Sequence, residues 1–125
     1  MVRPTDERFP KSLRIRKRAE YLEIQSEGAA VHTRLFVGLV RVTADRAGTR
    51  LGITTTKKIG GAVVRNRTRR RVREAFRRNR SVLPDGVDLV VVAKRAATES
   101  TARAIADDLA ELGRRAVRVA ERARC

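Results

Sequence analysis

VDLVVVA, residues 87–93, decides how this chain folds. After Asp88 every side chain is apolar, and the period-two alternation of a half-exposed strand is missing. The run reads as a strand covered on both faces, central in a sheet. Pro84-Asp85-Gly86 marks the turn that leads into it. Upstream, Ala62 to about Asn79 reads as one helix. Before that helix, RLGITTT (50–56) alternates Leu51, Ile53 and Thr55 against Arg50, Gly52 and Thr54, as a half-buried strand does. Strand, helix and strand in this order point to a βαβ unit with parallel pairing.

VHTRLFVGLVRVT (31–43) is rich in β-formers and reads as strand, with a short edge piece before a long one. ADRAGT (44–49) is a turn, and the two strands around it are expected to form an antiparallel hairpin. Arg18 to Glu27 is a short helix with Tyr21, Leu22 and Ile24 as its apolar members, and Gly28 is placed to end it. Ser100 is placed to cap a last helix reaching about Arg122, striped by Ile105, Leu109, Leu112 and Ala116. The expected fold class is α+β. It is a single domain with one mixed sheet, in α-β-β-α-β-α order, with residues 1–12 as a basic arm and 119–125 as a frayed tail.

The 125 residues suffice for one domain with a real core. Thirty Lys and Arg stand against 14 acids, a net charge of +16, and self-repulsion of that size calls for a polyanionic partner. Nucleic acid and an anionic membrane are the candidates. No run approaches the roughly 18 apolar residues of a membrane span, and MVRPTDERFPK lacks the apolar core of a signal peptide. The single cysteine, Cys125, has no partner for a disulfide or a metal and reads as an incidental tail thiol. These features suit the cytoplasm.

The charge is concentrated. Lys57 to Arg80 holds eleven basic residues and one acid. On a 3.6-residue period Val64, Thr68, Val72, Ala75 and Phe76 form one narrow face, free to dock on the sheet. Arg65, Arg69 and Arg73 make one row, Arg67 and Arg71 another, with Arg70 between. Each like-charge neighbour at this spacing costs about 0.2–0.5 kcal/mol. Glu74 relieves part of that, through Arg70, Arg71, Arg77 and Arg78. A solvated helix face would intersperse its signs; this one does not, which points to nucleic acid. Guanidinium forks suit phosphate oxygens and stack on bases.

KKIGGAVVRNRTRRRVREAF (57–76) resembles the signature of the ribonuclease P protein family. LRIRKRAEYLEIQSEG resembles that family's first helix, RLGITTTKKIG its strand and loop before the signature, and LPDGVDLVVVAKRAA its last strand. The resemblance thus covers nearly the whole chain. It implies a ribosomal protein S5 domain 2-like fold with a left-handed βαβ crossover, against the general preference for the right hand. It implies a monomer in a 1:1 ribonucleoprotein with ribonuclease P RNA, which removes the 5′ leader of precursor tRNA. Catalysis belongs to Mg²⁺ bound mainly by the RNA. Carried over, Lys57, Lys58, Arg65, Asn66, Arg67, Arg69, Arg70 and Arg73 are contacts to the catalytic RNA. Tyr21, Phe36, Thr54 and Thr56, rimmed by Arg14 and Lys17, are contacts to the leader in a cleft between the first helix and the sheet. An aromatic face accepts a splayed base, and strand hydroxyls reach phosphate or sugar. For Phe36 the alternative is core packing. Gln25 stands where the family often has a second aromatic, Leu39 where some members carry one on the sheet, and Thr68 where a branched apolar residue is common.

The alternative reading of the charge is a structural ribosomal RNA-binding protein. An independent nuclease needs an acid, a base or clustered carboxylates. His32 is the only histidine and lies in a strand candidate. Asp107, Asp108 and Glu111 are better explained by the helix dipole and by pairing of Glu111 with Arg115. No catalytic residue is assigned to the protein itself.

Overall fold

The computed structural model describes Ile15 and residues 18–42, 49–79 and 86–124. In chain order these form α1 (Arg18–Glu27), β1 (Ala29–His32), β2 (Phe36–Val42), β3 (Thr49–Thr54), a 3₁₀ turn (Lys57–Ile59), α2 (Ala62–Arg78), β4 (Val87–Ala93), a short α3 (Arg95–Thr98) and α4 (Ala102–Arg124). The expected arm at 1–12, Arg14, Lys17 and Cys125 lie outside the described residues.

The sheet runs β1-β2-β4-β3. β4 pairs antiparallel with β2, Leu39 opposite Val90, and parallel with β3, Leu51 opposite Leu89. It is therefore interior, as its unbroken apolar run requires. The expected hairpin between β2 and β3 does not form. The two strands do run in opposite directions, but β4 lies between them; the antiparallel hairpin is β1 with β2, Ala30 opposite Leu39. An interior strand must satisfy N–H and C=O groups on both edges, and separating β2 from β3 supplies both.

Alternation then divides the side chains. On one face Phe36, Val40, Leu51, Val87, Leu89 and Val91 pack with Val72 and Phe76 of α2 and with Ile105, Leu109 and Leu112 of α4. On the other, Leu39, Val90 and Val92 pack with Ile15, Tyr21 and Ile24. The buried side of α2 meets α4 most, then α3, and among the strands chiefly β3, rather than the sheet at large. α4 already covers β2, so α2 settles in the angle between α4 and the edge strand. Thr101, not Ser100, caps α4: its Oγ1 accepts the Ala104 N–H at 3.1 Å, while Ser100 Oγ donates back to the Ala96 carbonyl at 2.8 Å. The intervening turn of α3 takes Ser100. α4 continues helical through residues 119–124, where a frayed tail was expected, because Ala120 extends its buried stripe.

Asp88 is the one carboxylate wholly buried among the described residues. On the α1 face it accepts Arg41 Nη2 at 2.8 Å and Arg50 Nε at 3.1 Å. Removing one member of such a set strands the other charges out of water. Asp88→Ala is expected to lower unfolding free energy by about 3–5 kcal/mol, read as a drop in the urea midpoint with an unchanged m-value.

Candidate nucleic-acid interface

The loop before α2 is shaped by Gly60. Its φ is 150°, and a Cβ there would meet Val64 Cγ1 at 2.9 Å. The turn so formed exposes Lys57 and Lys58. Arg95 Nη2 donates to the Lys58 carbonyl at 2.7 Å and ties the loop to α3. Gly61 then begins the helix without a side-chain cap, and no acid lies in the first turn.

Along α2, Thr68, Val72, Ala75 and Phe76 are buried and Val64 is half-buried, as its period requires. Thr68 fits an apolar position because its Oγ1 donates to the Val64 carbonyl at 2.9 Å. The arginines divide by flank. Arg69 Nε donates to Thr55 Oγ1 at 2.8 Å, on the β3 side, and its Nη1 donates to Asn66 Oδ1 at 3.2 Å. Arg71 turns the other way and donates to the Ser100 carbonyl at 2.8 Å, so it holds α2 to the start of α4. Glu74 accepts Arg77 Nε at 3.1 Å and Arg78 Nε at 3.0 Å, and these hydrogen bonds hold its carboxyl below the usual range. The expected relief of Arg70 and Arg71 by Glu74 is not seen. The side chains of Lys57, Lys58, Arg65, Arg67, Arg70 and Arg73 have no hydrogen-bond or ion-pair partner among the described residues, and Arg65 Nε is buried without one.

The α1 face carries the second group. Tyr21 is half-buried beside Gly52, where a Cβ would lie 2.8 Å from its hydroxyl oxygen. Gly52 and Thr54 share this face by alternation, Thr54 opposite Val92, and Leu39 completes it. Burial pushes the Tyr21 phenol up, against the Ile53 backbone hydrogen bond and the charges of Arg73 and Arg69. One expectation is corrected. Phe36 is fully buried on the α2–α4 side, since 36, 38 and 40 share one face of β2 and 37, 39 and 41 the other. Thr56 is exposed beyond the end of β3, where its carbonyl accepts the Ile59 N–H at 3.2 Å, so it belongs with the lysine loop. Thr55, which holds Arg69, was missed; it sits one past the strand's end, where alternation no longer orients a side chain.

The acidic residues of α4 are engaged elsewhere. Asp108 Oδ2 accepts Thr33 Oγ1 at 2.6 Å and the Leu35 N–H at 3.1 Å, closing the β1–β2 loop. Glu111 pairs with Arg114 at 3.1 Å and Arg115 at 3.2 Å. Among the described residues no group of three or more His, Cys, Asp or Glu is placed to hold a metal, and no helix is long and apolar enough to cross a membrane.

Residues 9–117 match the family described as Ribonuclease P. A ribonuclease P protein component from Desulforapulum autotrophicum is 36% identical over 110 residues, spanning 88% of this chain and 93% of that one. One from Gluconacetobacter diazotrophicus is 44% identical over 110 residues, spanning 86% and 95%. Among solved structures, the RNase P protein from Thermotoga maritima superposes with a TM-score of 0.75 at 36% identity, covering 82% of this chain and 96% of that one. The Staphylococcus aureus protein gives 0.72 at 34%, covering 79% and 90%.

Tyr21 is the only tyrosine and the chain has no tryptophan, so phenol absorbance reports this face alone. In the folded protein its titration midpoint is expected above the ordinary 10.0. The neutral phenol is favoured by folding, so its contribution to stability is full below about pH 10 and is lost as pH rises through the folded midpoint. Gly52→Ala, which evicts the ring, is expected to return the midpoint towards about 10.

Proposed function

This chain belongs to the ribonuclease P protein family, and from that premise we propose how its two surfaces divide the work. The family is the protein subunit of an endoribonuclease of tRNA processing and partners ribonuclease P RNA. α2 and its preceding turn lie against that RNA through Lys57, Lys58, Arg65, Asn66, Arg67 and Arg70. The α1 face, with Tyr21 and Thr54, receives the single-stranded 5′ leader of precursor tRNA. Arg69 and Arg73 stand between the two and serve the junction. The protein acts as a monomer in a 1:1 particle in the cytoplasm.

The observation that carries this reading is a ridge of cations without hydrogen-bond or ion-pair partners among the described residues, set beside a half-buried aromatic ring. Phosphate contacts on a structured RNA satisfy the first, and stacking of an unpaired base satisfies the second. The interface does not suit a resident magnesium ion: its only carboxylate on α2, Glu74, is already paired. The Mg²⁺ of the reaction is therefore assigned mainly to the RNA, and this chain's residues bind and orient. In a low-Mg²⁺ assay with ribonuclease P RNA and precursor tRNA, the protein is expected to stimulate cleavage over RNA alone, and by itself to cut nothing. An absence of stimulation would refute the assignment.

Two substitutions separate the surfaces. Arg65→Ala with Arg67→Ala is expected to weaken association with the RNA and flatten the salt dependence by about 1.4–1.8 log units per log salt. Tyr21→Ala is expected to weaken leader-bearing substrate about 5- to 150-fold while sparing mature tRNA. An unchanged salt slope, or equal loss on both substrates, counts against the respective assignment.

A further inference from the structure

α1 has little apolar surface with which to hold its place. It is ten residues long, too short to persist alone. Ile24 is fully buried, Tyr21 only half, and Leu22 is 52% exposed. Yet this helix carries the ring on which the leader face depends. Something other than hydrophobic packing has to fix it.

We infer that an ionic network centred on Asp88 sets the position of α1, and that Glu20 and Glu23 are positioning residues for Tyr21. Arg50 Nη2 donates to Glu20 Oε2. Arg41 Nη1 donates to Glu23 Oε2 at 3.0 Å and lies 3.5 Å from Glu27 Oε2. Arg41 Nη2 and Arg50 Nε also donate to Asp88, at 2.8 Å and 3.1 Å, while Arg41 Nε is buried without a partner among the described residues. One face of α1 is thereby tied to β2 and to β3 through a single buried carboxylate on β4. The arginine side chains are only 18% and 16% exposed and Glu20 is 26% exposed, so water screens the Asp88 and Glu20 pairs less than pairs on an open surface, whereas Glu23, 60% exposed, holds more weakly.

The network adjoins the ring directly. Glu20 precedes Tyr21 on α1, and Arg50 lies two residues before Gly52 on the same face of β3. The Glu20–Arg50 tie is one step along the strand from the contact between Tyr21 and Gly52. Besides this tie, the start of α1 is held to β3 by the Tyr21 hydrogen bond to the Ile53 backbone and by the segment leading in, where the Ile15 N–H donates to the Leu51 carbonyl at 2.7 Å. A ring displaced by about 1 Å is no longer a preorganised stacking surface.

The consequence for RNA rests on the proposed leader face; the network itself is tested on the protein alone. Glu20→Gln with Glu23→Gln keeps Asp88 and both of its arginine pairs. In this variant the Tyr21 absorbance midpoint is expected to fall towards about 10 at an unchanged far-UV spectrum. Holoenzyme affinity for leader-bearing precursor tRNA is expected to fall about tenfold, with mature tRNA and RNA-subunit association unaffected. If the double variant does not fold, Glu20→Gln alone is read the same way. An unmoved Tyr21 midpoint overturns the inference. A shifted midpoint with unchanged leader affinity, in a protein where Tyr21→Ala is also silent, instead overturns the leader face and leaves the network standing.

Discussion

The constraint from which the rest follows is the placement of β4 between β2 and β3. A strand paired on both edges and covered on both faces makes the sheet two-sided, and a two-sided sheet needs helices on each side. α2 and α4 cover one face with most of the core. Among the described residues α1 covers the other with far less, and Tyr21, Leu39 and Thr54 on that side are only partly buried. The two candidate RNA surfaces are the two sides of one strand arrangement, joined at the edge strand β3. Arg69 reaches over that edge from α2, and Gly52 opens it towards Tyr21.

The two faces are held by different forces. Behind α2, burial of Val72, Phe76, Leu109 and Leu112 scales with apolar area and resists salt. Beneath α1 a large share falls to Asp88, Arg41 and Arg50, whose attraction depends on geometry and on exclusion of water. The basic helix therefore rests on a foundation that its own field does little to disturb. The aromatic helix rests on charges, and its position responds to any change in them.

The sequence reading succeeds where one residue pattern has one consequence. The interior strand follows from VDLVVVA, the limits of α1 from its helix pattern and Gly28, and the buried stripe of α2 from its period. It fails where partners are chosen at a distance. Nothing local in β2 or β3 says that a strand from 33 residues further on will part them. Phe36 is open to two readings in the sequence, leader face or core, and the strand order decides for the core. The Asp88 network was invisible for a related reason: Glu20, Arg41, Arg50 and Asp88 are each ordinary residues in their own segments, and only the strand order brings them together.

The charge on α2 can be resolved further along its length. Cations near a helix C-terminus complement the dipole, and Arg77 and Arg78 sit there with Glu74 beside them. At the N-terminus the same charge opposes the dipole, and there Arg65 and Arg67 follow Lys57 and Lys58 with no acid in the first turn. The C-terminal half is locally consistent and the N-terminal half is frustrated. Unfavourable interactions persist in a folded protein where the surroundings impose them, and they gather at functional surfaces. Here the imposing agents are the buried stripe against α4 and the turn fixed by Gly60. An unsatisfied positive helix end next to two lysines is relieved by phosphate oxygens, which accept from free N–H groups and guanidinium forks alike. The position of greatest internal conflict is thus the position at which a polyanion gains most, and it coincides with the Arg65-Asn66-Arg67 turn.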